Sequence, residues 1–428
     1  MLGELLELRR LLQRRTLAPE QLRALQEEKL RAVIHHSYEH VPYYRDLFTS
    51  AGLRPRDIGT LEDLKHIPVT TKDHLRDAGI EQVTARNFDH RFFVRRRTGG
   101  STGHPFTVYL TSAEARTRRL IAFRTILSIG LRPWDRLTVL GPQEAPRPRL
   151  HQRLGLYRRD EISPFLPPAE QVRRLQALRP TVLLAYPTLL MAVIREVEDR
   201  LSRVIRPRTL ITAAESLDET TREHLREDLQ AEIFNFYGAV EVGPIAADCP
   251  AHQGLHLDAD HVILECPTEN RTAESGGPCI VTALSGFAMP FIRYRLGDLC
   301  QMIEQECPCG SRFPLIAAPY GRDDDMITLP SGALLSPMAL RILLRDCDWI
   351  RQYRVVQERV DHLLVQVAPR GHPPEGGLVA LRERIEARLR EPLHVEIQCV
   401  ESLQDDTRKF RSFISHVSAR SPSPPAPV

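Results

Sequence analysis

Residues 97–106, RTGGSTGHPF, combine three glycines with two threonines and a serine. Backbone N–H groups and hydroxyls arranged around such a turn can bind the oxygens of a phosphate group. A Walker-type phosphate loop has four residues between its glycines, then lysine and a serine or threonine at the start of a helix. Here Gly99, Gly100 and Gly103 are spaced differently, and His104 occupies the lysine position. The flanking sequence predicts strand, turn, strand. This pattern argues against a Walker-type nucleoside triphosphatase and leaves a phosphate-binding hairpin or a plain polar hairpin loop.

Cysteine and histidine residues gather in the second half of the chain. Cys249, His252 and His256 lie within CPAHQGLH, and Cys307 and Cys309 lie within CPCG. Thiolate sulfurs and imidazole nitrogens in a tetrahedral set suit Zn²⁺, and a complete set of protein ligands makes a structural site. We predict zinc on Cys249, His256, Cys307 and Cys309, with His252 as the rival to His256 and buried free thiols as the alternative.

The bulk composition excludes several classes of protein. The 58 basic and 55 acidic residues leave a formal net charge of +3, which is too small to favour a nucleic-acid partner. The N-terminal MLGELLELRRLLQRR is charged and amphipathic rather than a signal peptide, and no apolar run reaches the roughly 18 residues of a membrane span. We therefore expect a cytoplasmic protein with no membrane or nucleic-acid partner, whose cysteines form no disulfides.

Lysine is rare in this chain. Of the 58 basic residues only Lys29, Lys65, Lys72 and Lys409 are lysines, and the others are arginines. A lysine that persists against such a bias is a hint that its compact ammonium group is needed at that position.

Alternating apolar runs and helical patterns indicate the fold class. RLTVLG, TVLLAY, TLITAA and EIFNFYG read as buried strands, and PTLLMAVIREVEDRL and DETTREHLREDL read as helices between them. The alternation predicts an α/β fold with a mostly parallel sheet covered by helices. Residues 1–50 read as helical and residues 254–305 as β-rich, and a strand–strand–helix–strand pattern near the C-terminus predicts a small α+β domain.

Four more fragments follow the glycine-rich stretch in order along the chain. They are FNFYGAVEVG at 234–243, RYRLGDL at 293–299, GRDDDM at 321–326 and DDTRKFRSFISHV at 405–417. With VPYYRDLF, IPVTTKDHLR, AYPTLL and FAMPFIRYRLGDL, they closely resemble the adenylate-forming superfamily of acyl- and aryl-CoA ligases. The branch they resemble is the phenylacetate-CoA ligase-like group, which includes capsule-biosynthesis and deazaflavin-cofactor adenylylating relatives.

The resemblance covers residues 20–417 and implies two domains. Residues 1–322 would form a large ATP- and substrate-binding domain with a β-rich, zinc-bearing segment at 249–310. Residues 326–417 would form a small mobile C-terminal α+β lid domain. Residues 418–428, rich in proline and serine, are predicted to be a disordered tail.

The resemblance also implies which residues bind ATP. The glycine-rich stretch would close over the β- and γ-phosphates, Tyr237 would lie against adenine, and Asp298 would accept hydrogen bonds from the ribose hydroxyls. Glu241 would hold the Mg²⁺ that bridges the phosphates, since a hard cation prefers carboxylate oxygen. Lys409 would contact the substrate carboxylate and the α-phosphate. Catalytic roles thus fall to Lys409 and Glu241, the hinge to Asp324 or Asp325, and the remaining nucleotide contacts to Thr98, Gly99, Gly100, Ser101, Thr102, Gly103, Ala213, Ala214, Glu215, Gly238 and Arg322.

The function implied is an ATP-dependent ligase that activates a small carboxylic acid, aryl or arylacetic, as acyl-AMP and then joins it to coenzyme A. A homodimer is implied as well. Two alternatives stay open: an adenylyl transferase that acts on a hydroxyl of a cofactor-like substrate, and a catalytically impaired ATP-binding relative. Two departures from the family pattern motivate them. His104 replaces the usual loop lysine, and Val240 replaces a threonine or serine that touches the α-phosphate. An apolar side chain cannot make that hydrogen bond.

Overall fold

The structure is a computed structural model, and it has the α/β fold that the sequence predicts. The residues that it describes are 2–98, 106–141, 150–197, 200–215, 217, 219–267, 276–319, 327–331, 334–335, 340, 343–344, 347, 349–389, 391–401, 403 and 413–417.

Helices dominate the N-terminal part, as predicted for residues 1–50. Pro19 and Pro42 begin α2 and α3, and proline suits the first turn because its ring fixes the backbone angle and its missing N–H would be unpaired there anyway. Val33, Ile34 and Tyr44 are fully buried and form a core with residues of later elements. No helix among the described residues combines the length and apolarity that a membrane span needs. The helices are α1 (Leu2–Arg14), α2 (Pro19–His40), α3 (Pro42–Ser50), α4 (Lys72–Ala78) and α5 (Ile80–Val83).

A hairpin flanks the glycine-rich stretch. Strands β1 (Val94–Arg97) and β2 (Thr107–Leu110) pair antiparallel, so the predicted strand, turn, strand order is confirmed for its two strands. Helix α6 (Ser112–Ser128) follows directly, with Thr111 as its N-cap and Glu114 completing a capping box.

The main sheet has nine strands in the order β13-β14-β9-β8-β7-β6-β5-β3-β4. The run from β7 to β4 is parallel, and the run from β7 to β13 is antiparallel. Strands β3, β5 and β6 are largely buried and mostly apolar, as expected for a sheet covered on both faces, whereas the edge strand β4 is charged and partly exposed. Its strands are β3 (Arg136–Leu140), β4 (Arg158–Ile162), β5 (Val182–Ala185), β6 (Thr209–Ala213), β7 (Glu232–Ala239), β8 (Gly243–Ala247), β9 (Leu255–Leu257), β13 (Met302–Ile303) and β14 (Leu315–Ile316).

Four helices connect the strands of the parallel run. They are α7 (Leu150–Arg153), α8 (Pro168–Leu178), α9 (Pro187–Glu196) and α10 (Glu219–Leu229). The sequence pattern predicted a longer α9 that continued through residue 201. In the structure α9 ends at Glu196, and residues 201–203 form a separate 3₁₀ turn.

A second, three-stranded antiparallel sheet accounts for most of the region predicted to be β-rich. It consists of β10 (Val262–Glu265), β11 (Gly277–Ala283) and β12 (Tyr294–Cys300), with β11 in the middle. A disulfide joins Cys266 to Cys300, whose Cα atoms are 6.0 Å apart. The expectation that no cysteine is bridged is therefore wrong for this pair, because the chain that leaves β10 at Cys266 packs against Gly277, the β11 residue paired with Cys300.

The C-terminal region contains a four-stranded sheet in the order β19-β18-β17-β20. The predicted strand–strand–helix–strand unit is present, with β20 added parallel to β17. Its buried residues form a core cluster drawn only from residues 327–413, while the predicted domain boundary at 322–326 lies outside the described residues. The elements are β15 (Ile327–Thr328), β16 (Leu334–Leu335), β17 (Ile350–Arg359), β18 (His362–Pro369), α11 (Gly377–Leu389), β19 (His394–Cys399) and β20 (Phe413–Ser415).

Candidate active site

The parallel strands end together at one edge of the main sheet. The chain runs from β3 outward to β4 and then returns to place β5 on the other side of β3. In open α/β sheets, ligands bind in the crevice outside the carboxyl ends of the strands at such a reversal. Gly141 follows β3 and Tyr186 follows β5, and a Cβ atom on Gly141 would lie 3.8 Å from the Tyr186 ring. The topology therefore places a tyrosine ring and a glycine side by side at the expected crevice.

The same edge continues past β6, where ITAAES leaves the sheet. Ala214 has a backbone φ of +66°. This left-handed conformation is uncommon for a residue with a side chain and tends to occur at functional sites. Glu215 follows Ala214. Burial is the larger cause that raises the pKa of the Tyr186 hydroxyl, and the negative charge of Glu215 is the smaller one. The segment thus lies next to the tyrosine that follows β5.

Tyr237 and Asp298 connect the two sheets. The Tyr237 hydroxyl on β7 donates a hydrogen bond of 2.8 Å to the Asp298 carboxylate on β12. Burial is the main cause that raises the pKa of Tyr237 well above its usual value, and the negative charge of Asp298 adds to this rise. The phenol therefore stays protonated and keeps donating to the carboxylate.

Glu241 lies in the turn that follows β7 and shares its surroundings with Asp298. The Tyr294 hydroxyl donates to Glu241 Oε1 over 3.3 Å. Tyr294 and Asp298 are four residues apart on β12, and the strand between them contains a β-bulge at residues 296–298, where Gly297 has a φ of +84°. Burial raises the pKa of Glu241, Lys72 opposes this rise, and the charge of Asp298 adds to it. The two carboxylates are therefore close enough to interact, which brings together two side chains that the sequence assigned to one site.

Lys72 is a site residue that the sequence analysis did not assign. Thr71 accepts a hydrogen bond from the backbone N–H of His74 and so caps helix α4, which begins at Lys72. The Lys72 ammonium donates to Thr98 Oγ1 over 3.5 Å and also lowers the pKa of Glu241. The rarity of lysine in the chain was the signal that could have identified it.

The base of the glycine-rich stretch is closed by Thr98. Its N–H donates to the Phe106 carbonyl over 2.9 Å, and its hydroxyl oxygen accepts from the Phe106 N–H over 2.9 Å. The ammonium of Lys72 thus lies at the entrance to this stretch, beside a residue that the sequence predicts to bind phosphate.

Several residues predicted for the site lie outside the described residues, and their roles stay predictions. They are Gly99, Gly100, Ser101, Thr102, Gly103, His104, Arg322, Asp324, Asp325 and Lys409. Gly238 is described and lies in β7 next to Tyr237. A Cβ atom there would be 2.9 Å from the Gly243 carbonyl, so the close approach of the two strands requires glycine.

A separate cluster unites the four predicted zinc ligands. The ligand atoms of Cys249, His256, Cys307 and Cys309 all lie within 4.8 Å of one another. His256 Nδ1 lies 2.9 Å from the Phe313 carbonyl, which can only accept, so Nδ1 carries the hydrogen. Nε2 is then free of hydrogen and faces Cys309 Sγ at 3.1 Å.

The rival histidine, His252, is directed elsewhere. Its Nδ1 lies 3.0 Å from an Asp248 carboxylate oxygen, and its ring packs 5.1 Å from the Phe234 ring, measured between centroids. The structure therefore groups His256, and not His252, with the three cysteines.

Comparisons with known proteins place the chain among acid–CoA ligases. No protein-family model matches it. The phenylacetate-coenzyme A ligase of Thermus thermophilus is 30% identical over 364 residues and is covered, like this chain, over 80% of its length. The phenylacetate-coenzyme A ligase of Aromatoleum evansii is 26% identical over 400 residues, which span 88% of this chain and 87% of the relative.

Solved structures share the fold. A 2-hydroxyisobutyryl-CoA ligase in the postadenylation state, in complex with 2-HIB-AMP, superposes with a TM-score of 0.77 at 21% identity, over 94% of this chain and 91% of the other. An anthranilate CoA ligase in complex with anthranoyl-AMP superposes with a TM-score of 0.55 at 14% identity, over 81% of this chain and 73% of the other. The α/β architecture predicted from the sequence is confirmed.

Proposed function

The chain belongs to the phenylacetate-coenzyme A ligase family, and on that premise we propose that it activates an aryl or arylacetic acid with ATP and transfers the acyl group to coenzyme A. It is an AMP-forming, adenylate-forming acid–CoA ligase, as the resemblance in the sequence implied. The observation that carries the proposal is the chain of interactions that links Lys72 to Thr98 and to Glu241, and Asp298 to Glu241 and to Tyr237.

The reaction needs the carboxylate of the acid to gain a good leaving group. A carboxylate oxygen attacks the α-phosphorus of ATP and expels pyrophosphate, which gives acyl-AMP. The thiol of coenzyme A then attacks the acyl carbon and releases AMP. Negative charge grows on the phosphoryl oxygens during the first step, so fixed cations near them lower its barrier. Lys72 and Lys409 would supply those cations, and Thr98 would contribute a hydroxyl.

The nucleoside would lie against β7 and β12. Tyr237 would place its ring against adenine while its hydroxyl holds the Asp298 carboxylate, and Asp298 would accept hydrogen bonds from the ribose hydroxyls. The 2.8 Å hydrogen bond between these two side chains supports this arrangement, because it fixes the carboxylate before the nucleotide arrives.

Glu241 fits the role of a magnesium ligand. Its carboxylate is buried beside a second carboxylate, Asp298, whose charge raises the pKa of Glu241. Two interacting carboxylates at one site favour a bound divalent cation, and carboxylate oxygen is a ligand that Mg²⁺ prefers. When bound, Mg²⁺ would neutralise charge on the phosphate oxygens.

The acid would bind at the crevice between β3 and β5. The Tyr186 ring at this crevice supports a flat aromatic acid, since tyrosine offers an aromatic contact surface.

The cysteine–histidine cluster would hold a structural zinc. Three thiols and an imidazole whose Nε2 faces them make a donor set that suits Zn²⁺ and leaves no position for substrate. The Phe313 carbonyl would orient His256 from behind, as such carbonyls do for metal-bound histidines.

Pyrophosphate exchange into ATP across a panel of aromatic, arylacetic and fatty acids tests the proposal. We expect exchange with an aryl or arylacetic acid, and a coenzyme A thioester when coenzyme A is added. Lys409→Ala and Glu241→Gln should each reduce the exchange rate by about 10²-fold or more, because each removes a group that acts on the phosphates. Folded wild-type protein that shows no exchange with any acid would contradict the proposal.

Mass spectrometry of the products separates the two alternatives from this function. An adenylyl transferase attaches AMP to a hydroxyl compound and releases no AMP, whereas the ligase releases AMP and forms a thioester. ATP binding without turnover, and without any effect of Lys409→Ala, would favour the impaired relative that Val240 and His104 suggest.

A further inference from the structure

The turn that carries Glu241 is held by side chains from two distant parts of the chain. Arg118 on α6 donates from Nη1 to the Val240 carbonyl over 3.0 Å and from Nη2 to the Glu241 carbonyl over 2.7 Å. His261 Nε2 lies 2.9 Å from the Val242 carbonyl. Three consecutive carbonyls between β7 and β8 thus have side-chain partners, where the ladder between the two strands has ended.

We propose that Arg118 and His261 are positioning residues that fix the direction of the Glu241 carboxylate toward the phosphates of ATP. A carbonyl held in place fixes the plane of its peptide group. Because the carbonyls of Val240 and Glu241 belong to the two peptide planes on either side of the Glu241 Cα, Arg118 sets the direction of its Cβ by holding both. His261 holds the next peptide plane, between Val242 and Gly243, and so fixes the end of the turn where it enters β8. This inference rests on the proposed role of Glu241 as the residue that acts on the magnesium–phosphate complex.

The hydrogen bonds of His261 define its tautomer. The Val242 carbonyl can only accept, so Nε2 carries the hydrogen, and Nδ1 accepts from the Ser285 hydroxyl over 2.8 Å. Burial is the main cause that lowers the pKa of His261 to about 3, and the positive charge of Arg118 adds to this decrease. The imidazole therefore stays neutral, and its two hydrogen bonds persist over the range in which most enzymes act.

Arg118 reaches the turn because Gly243 leaves it space. Gly243 has φ of +87°, and a Cβ atom there would be 2.9 Å from Arg118 Cδ. One turn earlier on α6, the Glu114 carboxylate accepts from the N–H groups of Phe287 and Ala288. Burial lowers the pKa of Arg118 to about 10, and the charge of Glu114 opposes this decrease.

Both members of the pair are therefore anchored to one loop. Ser285 supports His261, and Phe287 and Ala288 bind the glutamate that accompanies Arg118. This loop joins β11 to β12, the strand that carries Asp298. The two carboxylates proposed to act on ATP are thus positioned from the same segment of the chain.

Calorimetric titration of the full chain with ATP tests the inference, once with excess Mg²⁺ and once in buffer without added divalent cations, so that no chelator acts on the cysteine–histidine cluster. We expect Arg118→Met and His261→Asn to weaken MgATP binding about tenfold or more, which corresponds to about 1.4 kcal/mol, and to leave binding of metal-free ATP unchanged. His261→Gln should restore MgATP binding to within about twofold of the wild type, because the glutamine amide can donate from the position of Nε2, whereas the shorter asparagine amide cannot.

Arg124→Lys is the matched control for a purely structural effect. Arg124 lies on the same helix and is fully buried, but it binds Asp258 and Asp260 rather than the turn. Its substitution should lower the melting temperature and leave the ratio of the two dissociation constants unchanged. The inference is overturned if His261→Gln weakens MgATP binding as much as His261→Asn does. It is also overturned if neither His261 variant alters the ratio of the dissociation constants of MgATP and metal-free ATP.

Glu241→Gln distinguishes failure of the inference from failure of the proposed function. If Glu241→Gln abolishes the preference for MgATP while the Arg118 and His261 variants keep it, the inference is wrong and the proposed role of Glu241 stands. If Glu241→Gln keeps the preference, the proposed role of Glu241 is wrong and the inference falls with it.

Discussion

At the scale of single residues, Lys72 supplies an ammonium group beside Thr98, at the base of the glycine-rich stretch whose sequence has a histidine in place of a lysine. Its Nζ atom lies 3.5 Å from Thr98 Oγ1, and Lys72 → Ala would leave that side of the site without its charge. We expect Lys72→Ala to reduce kcat/KM for ATP in pyrophosphate exchange by about 10- to 100-fold, since a hydrogen bond to a charged group contributes about 1.5–3 kcal/mol.

Lys65→Ala is the control for this change, because Lys65 is an exposed lysine in the 3₁₀ helix that precedes α4. It should keep wild-type kinetics. The Lys72 variant should also shift the acid limb of the pH–rate profile to higher pH, since Lys72 lowers the pKa of Glu241 and its loss raises it. An unshifted limb and an unchanged kcat/KM would remove Lys72 from the site.

His261 provides a prediction on stability and pH. Its pKa is about 3 in the folded protein, against an ordinary value of 6.5, because burial disfavours the charged imidazole. Between these values the unfolded chain binds more protons, so the free energy of unfolding decreases as the pH falls below 6.5, by at most about 1.4 kcal/mol per pH unit from this group.

Thermal unfolding of the wild type and His261→Gln between pH 7 and pH 5 measures this contribution. Glutamine does not titrate, so the variant should lose less stability than the wild type over this interval. Parallel curves for the two proteins would show that His261 does not cause the decrease.

The residue types of the site were readable from the sequence, but their grouping depends on contacts between distant segments. The three cysteines and the two candidate histidines of the zinc site were identified from the sequence. The choice of His256 over His252 depends on contacts with distant residues, because His256 is oriented by the Phe313 carbonyl and His252 by the Asp248 carboxylate. Lys72 was noted as a rare lysine without a role, because nothing local indicates that α4 lies beside Thr98.

At the scale of elements, the cysteine–histidine cluster ties β9 to two loops. Cys249 follows β8, His256 lies in β9, and Cys307 and Cys309 lie between β13 and β14. These short strands form one edge of the nine-stranded sheet, and β13 and β14 have only two residues each. A bound metal would hold this edge together where few ladder hydrogen bonds do so.

We expect metal analysis of the purified protein to give about one Zn²⁺ per chain, and a strong chelator to lower the melting temperature, because a structural zinc stabilises the folded state. Cys307→Ser should lose the metal and show the same lower melting temperature without chelator. Cys399→Ser, which changes an exposed free thiol outside the cluster, should do neither. Zinc retained in full by Cys307→Ser would contradict the site.

Elements with a strong local pattern were predicted well, whereas those set by long-range pairing were not. The parallel strands and the C-terminal strand–strand–helix–strand unit follow from apolar periodicity. The addition of β20 beside β17, and the approach of Cys266 to Cys300, depend on pairings that no local pattern encodes. Helix α9 ends at Glu196 although the apolar periodicity of the sequence continues beyond it. Apolar periodicity therefore predicts that a helix is present more reliably than it predicts the residue at which the helix ends.

At the scale of the whole molecule, the described residues separate into several cores. One cluster comes only from residues 327–413, and the others come from the first 316 residues. The division into two domains that the sequence resemblance implied stays a prediction. The implied homodimer also stays a prediction.

A buried ion cluster joins distant parts of the first of these regions. Arg124 on α6 donates to Asp258 over 2.6 Å, to both carboxylate oxygens of Asp260 over 2.9 Å, and to the Leu11 carbonyl of α1 over 3.1 Å. Its guanidinium also lies 5.1 Å from the centre of the Phe313 ring. One side chain thus connects the N-terminal helix, α6 and the connection between the two sheets.

Arg124→Met should therefore destabilise the whole first region and not a single element. Removing one partner of a buried ion pair leaves uncompensated charge, and we expect a loss of about 3–5 kcal/mol in the free energy of unfolding. Arg173→Met, which removes an exposed arginine paired with Glu170 on α8, should change stability by no more than about 0.5 kcal/mol.

The loss in Arg124→Met should depend on pH in a defined direction. Burial raises the pKa of Asp258 to about 6 even with Arg124 present, while Arg124 holds the pKa of Asp260 below its usual value despite burial. Without the guanidinium both folded-state pKa values rise, and a carboxyl group with a raised folded pKa destabilises the protein more as the pH increases toward that pKa. Urea unfolding at pH 5 and pH 8 should accordingly show that Arg124→Met loses more free energy of unfolding, relative to the wild type, at pH 8. An equal loss at both pH values would mean that another cation pairs with the two aspartates when Arg124 is gone.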